Sequence, residues 1–120
     1  MKKLIVILGI LFLFGSVVAQ AANLRSVGNT TDAAITTGSG YLKGIIVHTD
    51  SANSVTLNVY DNASAASGNK LFSTLTVTTS AANRVTTIGF DDKECLYVNG
   101  IYVDITTAGT VTYDVYFESN

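Results

Sequence analysis

The chain has 120 residues, enough for one domain, and its 48% hydrophobic and 13% charged content argues against a disordered tail. With no Pro, no Trp, one Cys and one His, it lacks most of the side chains from which catalytic and metal sites are built. The net charge is −2, and beyond residue 21 five basic residues (Arg25, Lys43, Lys70, Arg84, Lys93) face nine acidic ones, a balance of −4 that disfavours nucleic acid as a partner.

Lys2 and Lys3 make a positive start, and Leu4 to Val18 is an uncharged apolar run of 15 residues. A membrane-spanning helix wants about 20 residues, whereas the apolar core of a secretory signal takes about 7 to 15. Ala19 and Ala21 stand at the −3 and −1 positions of a cut after Ala21, and a cut after Ala19 also fits. Residues 1–21 are therefore expected to be a signal peptide with a short apolar helix, which places the mature chain outside the cytoplasm. The alternative is an uncleaved anchor, with membrane contact through residues 4–18 only. A type IV pilin also joins an apolar helix to a β domain, but its cleavage precedes the apolar run, and here the small-residue site follows it.

Residues 22–39 are polar and small and read as a flexible lead-in arm with at most one short strand near Ala33 to Thr36. From residue 40 the chain reads as strands. Sixteen Thr follow residue 29, and Val, Ile and six Tyr recur between Gly, Asn, Ser and Asp clusters, the composition of a pleated, half-buried surface. The predicted strands are Tyr41 to Thr49, Ser54 to Tyr60, Lys70 to Thr78, Arg84 to Phe90, Cys95 to Val98, Ile101 to Thr106 and Val111 to Glu118. Ile45-Ile46-Val47 suggests burial on both faces, while Val55, Leu57 and Val59 alternate with polar residues. Turn residues every 8 to 12 positions point to an all-β antiparallel β-sandwich over 40–120, jelly-roll or Ig-like, of about seven to eight strands.

The last two strands read as a hairpin. Matching inward residues pairs Val103 with Tyr113, Ile105 with Val111 and Ile101 with Val115, which leaves Thr107-Ala108-Gly109 as the loop and puts Gly109 where a bulged turn needs a left-handed residue. At Asn99-Gly100 a β-bulge is the preferred reading, with a crossing between sheets as the alternative.

Chemistry-bearing residues are sparse. Asp91, Asp92 and Glu94 suit a solvated acidic turn better than a Ca²⁺ site, since no EF-hand spacing is present. Asp104 and Asp114 fall on the outer face of the expected hairpin, among polar neighbours rather than as an acid/base pair. His48 has no second metal ligand and is expected at a strand end on the rim. Cys95 is expected to be buried as a small hydrophobe or else to pair between chains. No Gly-x-Ser-x-Gly elbow occurs, and Asn29-Thr30-Thr31 and Asn62-Ala63-Ser64 match the glycosylation acceptor pattern. No catalytic residue, cofactor or metal is expected. Alternation points Tyr60, Tyr102 and Tyr116 outward among Thr and Asp, as surface-contact candidates for protein or sugar.

The run Gly40-Tyr41-Leu42-Lys43-Gly44-Ile45-Ile46-Val47, then Val55-Thr56-Leu57-Asn58-Val59-Tyr60-Asp61, a Ser/Ala/Gly loop, Asn99-Gly100-Ile101-Tyr102-Val103 and a Thr/Gly connection to Tyr113–Phe117 resembles a small β-sandwich domain of tailed-phage virion proteins, in head-decoration and fibre-like roles. The resemblance spans residues 40 to 118. It implies a non-enzymatic building block that packs against itself or a shell protein, with no catalytic residue to carry over. The export signal departs from that pattern, because phage heads assembled in the cytoplasm need none. It favours a secreted relative or a component of a membrane-containing virion. The expectation is an extracytoplasmic, self-assembling subunit of a virion surface or extracellular filament; the alternative is a secreted carbohydrate- or protein-binding module.

Overall fold

The structure, a computed structural model, describes residues 24–78, 84–91 and 95–120; the expected signal peptide lies outside them, as do Asp92 and Glu94. Nine strands run through the described residues: β1 (Leu24–Asn29), β2 (Ala33–Thr37), β3 (Gly40–Thr49), β4 (Val55–Tyr60), β5 (Leu75–Val77), β6 (Val85–Gly89), β7 (Leu96–Tyr97), β8 (Gly100–Thr107) and β9 (Val111–Ser119). No described residue is helical.

The strands form two antiparallel sheets. Sheet A has the order β1-β9-β3-β6, with β7 beside the start of β3, and sheet B has the order β2-β8-β4-β5. Alternation decides which side chains go inside: Leu42, Ile45 and Val47 of β3 and Tyr113, Val115 and Phe117 of β9 meet Val55, Leu57 and Val59 of β4 and Ile101 and Val103 of β8. All are buried in one core shared by both sheets, a sandwich-like arrangement, and each aliphatic side chain buried this way contributes about 1.5–3 kcal/mol.

Four expectations are corrected. β8 and β9 are not a hairpin: β8 pairs with β2 and β4, and β9 with β1 and β3, in opposite sheets. Both strands face the same core from opposite sides, so their alternation is the same as in a hairpin. Gly109 is accordingly not in the left-handed region, which among the described glycines holds Gly38, Gly68 and Gly100. It is required for space, since a Cβ at 109 would collide with the Asp50 carboxylate. Asn99-Gly100 is the crossing rather than the bulge, because β7 belongs to sheet A and β8 to sheet B. The lead-in supplies two strands, one to each sheet, because Val27 and Ile35 pack against the core while the main chain completes β9 and β8.

Two further differences are smaller. Ile46 is half-buried on the outer face, level with Asp114 and Thr87, so β3 is not buried on both sides. The expected strand over 70–78 narrows to β5, preceded by an isolated bridge between Tyr60 and Lys70.

The sheet crossings are tied together by carboxylates. Asp50 follows β3, where the chain passes from sheet A to sheet B. Its Oδ1 accepts the Ala52 and Asn53 amides at 2.9 Å each, and its Oδ2 accepts Asn53 Nδ2 at 3.0 Å and the Thr110 amide at 2.9 Å. The crossing after β3 is thereby fastened to the crossing between β8 and β9. Those amides, the Ala52 N–H first, hold the Asp50 carboxyl well below the usual carboxylate range. At the opposite end Asp61 Oδ1 accepts the Val98 and Asn99 amides at 2.9 and 2.7 Å, fixing the β7–β8 crossing to the end of β4.

Candidate functional site

The three expected surface tyrosines do not share a surface. Tyr60 on β4 and Tyr102 on β8 are direct cross-strand partners on the outer face of sheet B, whereas Tyr116 lies on β9 in sheet A, opposite Ser26 and Gly44. All three are partly exposed, as alternation required.

The Tyr60–Tyr102 pair sits beside a fixed polar group. One row along, Asn58 pairs with Asp104, and Asn58 Nδ2 donates to Asp104 Oδ2 at 3.0 Å. Asn58 Oδ1 accepts from Lys70 Nζ and from Thr74 Oγ1, both at 2.7 Å, and Lys70 Nζ also donates to Thr74 Oγ1 at 2.7 Å. The same ammonium lies 5.9 Å from the Tyr60 ring centroid. Asp104 is thus an amide partner in sheet B, while Asp114 lies in sheet A over Gly28; the two form no pair. Sequence reasoning missed Lys70, Asn58 and Thr74 as members of this group. The signal for Asn58 was the polar half of the β4 alternation; Lys70 and Thr74 lie between β4 and β5, and only the bridge of Lys70 to Tyr60 and the hydrogen bonds to Asn58 bring them to the site.

Sheet A presents a different chemistry. Its bulge at Lys43 turns that side chain outward, where Nζ lies 3.3 Å from Glu118 Oε2 and 5.9 Å from the Tyr41 ring centroid. The flanking strands carry exposed apolar side chains. Leu24 on β1 is 61% exposed, Val85 on β6 is 52% and Leu96 on β7 is 51%. β1 is one edge of the sheet and β6 with β7 form the other, so both edges carry apolar groups in solvent.

The remaining candidates hold little chemistry. His48 is exposed near the end of β3. Cys95 is buried, its Sγ 3.6 Å from the Leu71 carbonyl, and burial pushes its thiol pKa up. Asn62 Nδ2, in the second glycosylation pattern, donates to the Ser67 carbonyl and hydroxyl at 3.2 Å each. An open groove of about 350 Å³ runs along Thr30, Thr31, Asp32, Ile105 and Val111, but Asp32 Oδ1 there already accepts the Ile105 amide at 2.8 Å. Among the described residues no three His, Cys, Asp or Glu side chains come together as a metal site.

No protein-family model, curated protein or solved structure matches the chain.

Proposed function

We propose that the protein is a non-enzymatic, self-assembling structural subunit of a virion surface or an extracellular filament, working outside the cytoplasm. The observation that carries this reading is the placement of Leu24, Val85 and Leu96. Large exposed side chains on both edges of one sheet favour edge-to-edge contact between copies, the β1 edge of one against the β6–β7 edge of the next. β1 is an edge strand with no Pro and a single charge, Arg25, so it is only lightly protected against pairing with another edge. A contact between unlike edges is heterologous and propagates into rings or open filaments.

The winding of the chain supports the same class. Strand order β1-β9-β3-β6 against β2-β8-β4-β5 is that of a jelly roll, an architecture common to viral capsid and lectin domains. That support is an analogy of fold and does not by itself specify function. Lys2, Lys3 and the apolar run to Val18 support export.

The test is hydrodynamic and visual. Purified protein is expected to form particles or filaments by negative-stain electron microscopy and to sediment as concentration-dependent oligomers, and Leu24→Lys is expected to return it to monomer. A chain that remains strictly monomeric at millimolar concentration refutes the proposal.

A further inference from the structure

The two outer faces differ in kind. Over β4, β5 and β8 the outward side chains of sheet B are Thr56, Asn58, Tyr60, Thr76, Tyr102, Asp104 and Thr106, with no aliphatic residue among them. An interface core between proteins is built around apolar and aromatic anchors with few charges. Among the described residues of these three strands, the large outward side chains with apolar surface are Tyr60 and Tyr102, cross-strand partners bordered by an amide, a carboxylate and an ammonium.

We infer that this face of sheet B, centred on Tyr60 and Tyr102, binds a neutral polysaccharide chain. A pyranose ring has a face of C–H groups and a rim of hydroxyls. The rings of the cross-strand partners Tyr60 and Tyr102 offer apolar surface to the first, and Asn58, Asp104 and Lys70 offer donors and acceptors to the second. Adjacent strands lie about 4.8 Å apart and successive outward residues about 6.8 Å apart, so the tyrosine row and the Asn58–Asp104 row are within reach of one sugar unit and its neighbour. The polar groups are held by one another before any ligand arrives: Asn58 is bonded to Asp104, Lys70 and Thr74 at 2.7 to 3.0 Å. Little side-chain freedom is therefore lost on binding.

Charge and shape select within the sugars. Asp104 offsets Lys70 and Asp61 follows Tyr60 directly, so the site has no excess of positive charge to attract a phosphate or sulfate. It is a surface on a sheet rather than an enclosed cavity, which suits an extended chain more than a monosaccharide.

The experiment is affinity electrophoresis of the purified protein in native gels containing xylan, galactomannan, hydroxyethylcellulose or dextran, with dextran sulfate as the charged comparison. A neutral glycan array runs in parallel, and affinities come from tyrosine fluorescence, which is readable because the chain has no Trp. At least one neutral polysaccharide is expected to retard the protein. Tyr60→Ala and Tyr102→Ala are each expected to weaken binding about tenfold or more, while Tyr116→Ala, on the other sheet, leaves it unchanged. Tyr60→Phe and Tyr102→Phe keep the rings and are expected to hold affinity within about threefold, which separates a lost contact from a lost fold. The inference is overturned by retardation in dextran sulfate alone, by equal loss on Tyr116→Ala, or by no binding to any neutral glycan. Its outcome is independent of self-assembly, which Leu24→Lys disrupts on the opposite sheet.

Discussion

Replacing Gly100 by Ala tests the central feature of the topology, the passage from β7 in sheet A to β8 in sheet B. Gly100 has φ 146°, and a Cβ there would collide with the Thr36 carbonyl oxygen and lie 3.0 Å from Ala63 Cα and 3.2 Å from the Asn62 carbonyl oxygen. All three are main-chain atoms, so no side-chain rotation relieves the overlap. Holding a residue with a Cβ in so sparsely populated a conformation costs roughly 1–3 kcal/mol. Displacing packed backbone costs about 1–3 kcal/mol more. The expected loss of about 2–6 kcal/mol is a large share of the roughly 5–15 kcal/mol that holds a domain folded. In urea, followed by tyrosine fluorescence and far-UV circular dichroism, it lowers the midpoint by about 0.7 M or more for a slope of roughly 1–3 kcal/mol per M. Gly89→Ala is the control, since nothing lies within 4 Å of its added carbon, and it is expected to leave the midpoint unchanged or slightly raised. A Gly100→Ala protein that unfolds within about 0.3 M of the parent, with the same slope, refutes the reasoning.

Further outcomes follow from the hydrogen bonds. Tyr113 Oη donates to the Thr31 carbonyl at 2.6 Å, and burial, with Asp32 nearby, pushes its pKa up and keeps the proton in place. Tyr97 Oη donates to the Glu118 carbonyl at 2.9 Å, so Tyr113→Phe and Tyr97→Phe are each expected to cost about 1–2 kcal/mol by urea denaturation. Because the folded Asp50 carboxyl titrates below its unfolded value, its stabilisation is fully present above about pH 4 and is lost as pH falls further. The gap in urea midpoint between the parent and Asp50→Asn is therefore expected to be constant from pH 7 to 5 and to narrow progressively as pH falls below 4; a gap as wide at pH 2 as at pH 7 refutes the assignment. Cys95 is expected to resist iodoacetamide at pH 8 in the folded protein and to react on addition of urea, with rapid native labelling counting against its burial.

Much of the fold was legible because period-2 alternation reports which face a residue takes. Val55, Leu57, Val59, Val103 and Val115 were assigned inside and are buried there, and Tyr60, Tyr102 and Tyr116 were assigned outside. Alternation does not report which strand lies alongside. Ile105 and Val111 match as a hairpin pair and match equally as residues on opposite walls of one core, and only the long-range pairing of β8 with β4 and β9 with β3 decides between them. β1 was missed because an edge strand has just one inward apolar residue, Val27, to announce it. The candidate site was half legible for the same reason. The tyrosines were found singly, but the partnership of Tyr60 with Tyr102, and the exclusion of Tyr116, depend on register across strands 42 residues apart in the chain.

The order of the strands also has a consequence in time. Among the described strands only β4 with β5 joins neighbours consecutive in the chain, while β1 and β2 find their neighbours in β9 and β8, which follow every other strand of the two sheets. A chain emerging amino end first cannot close either sheet until β8 and β9 are free. Such non-local closure places folding in the range of milliseconds to seconds, and it leaves the apolar faces of β3 and β4 waiting for most of synthesis.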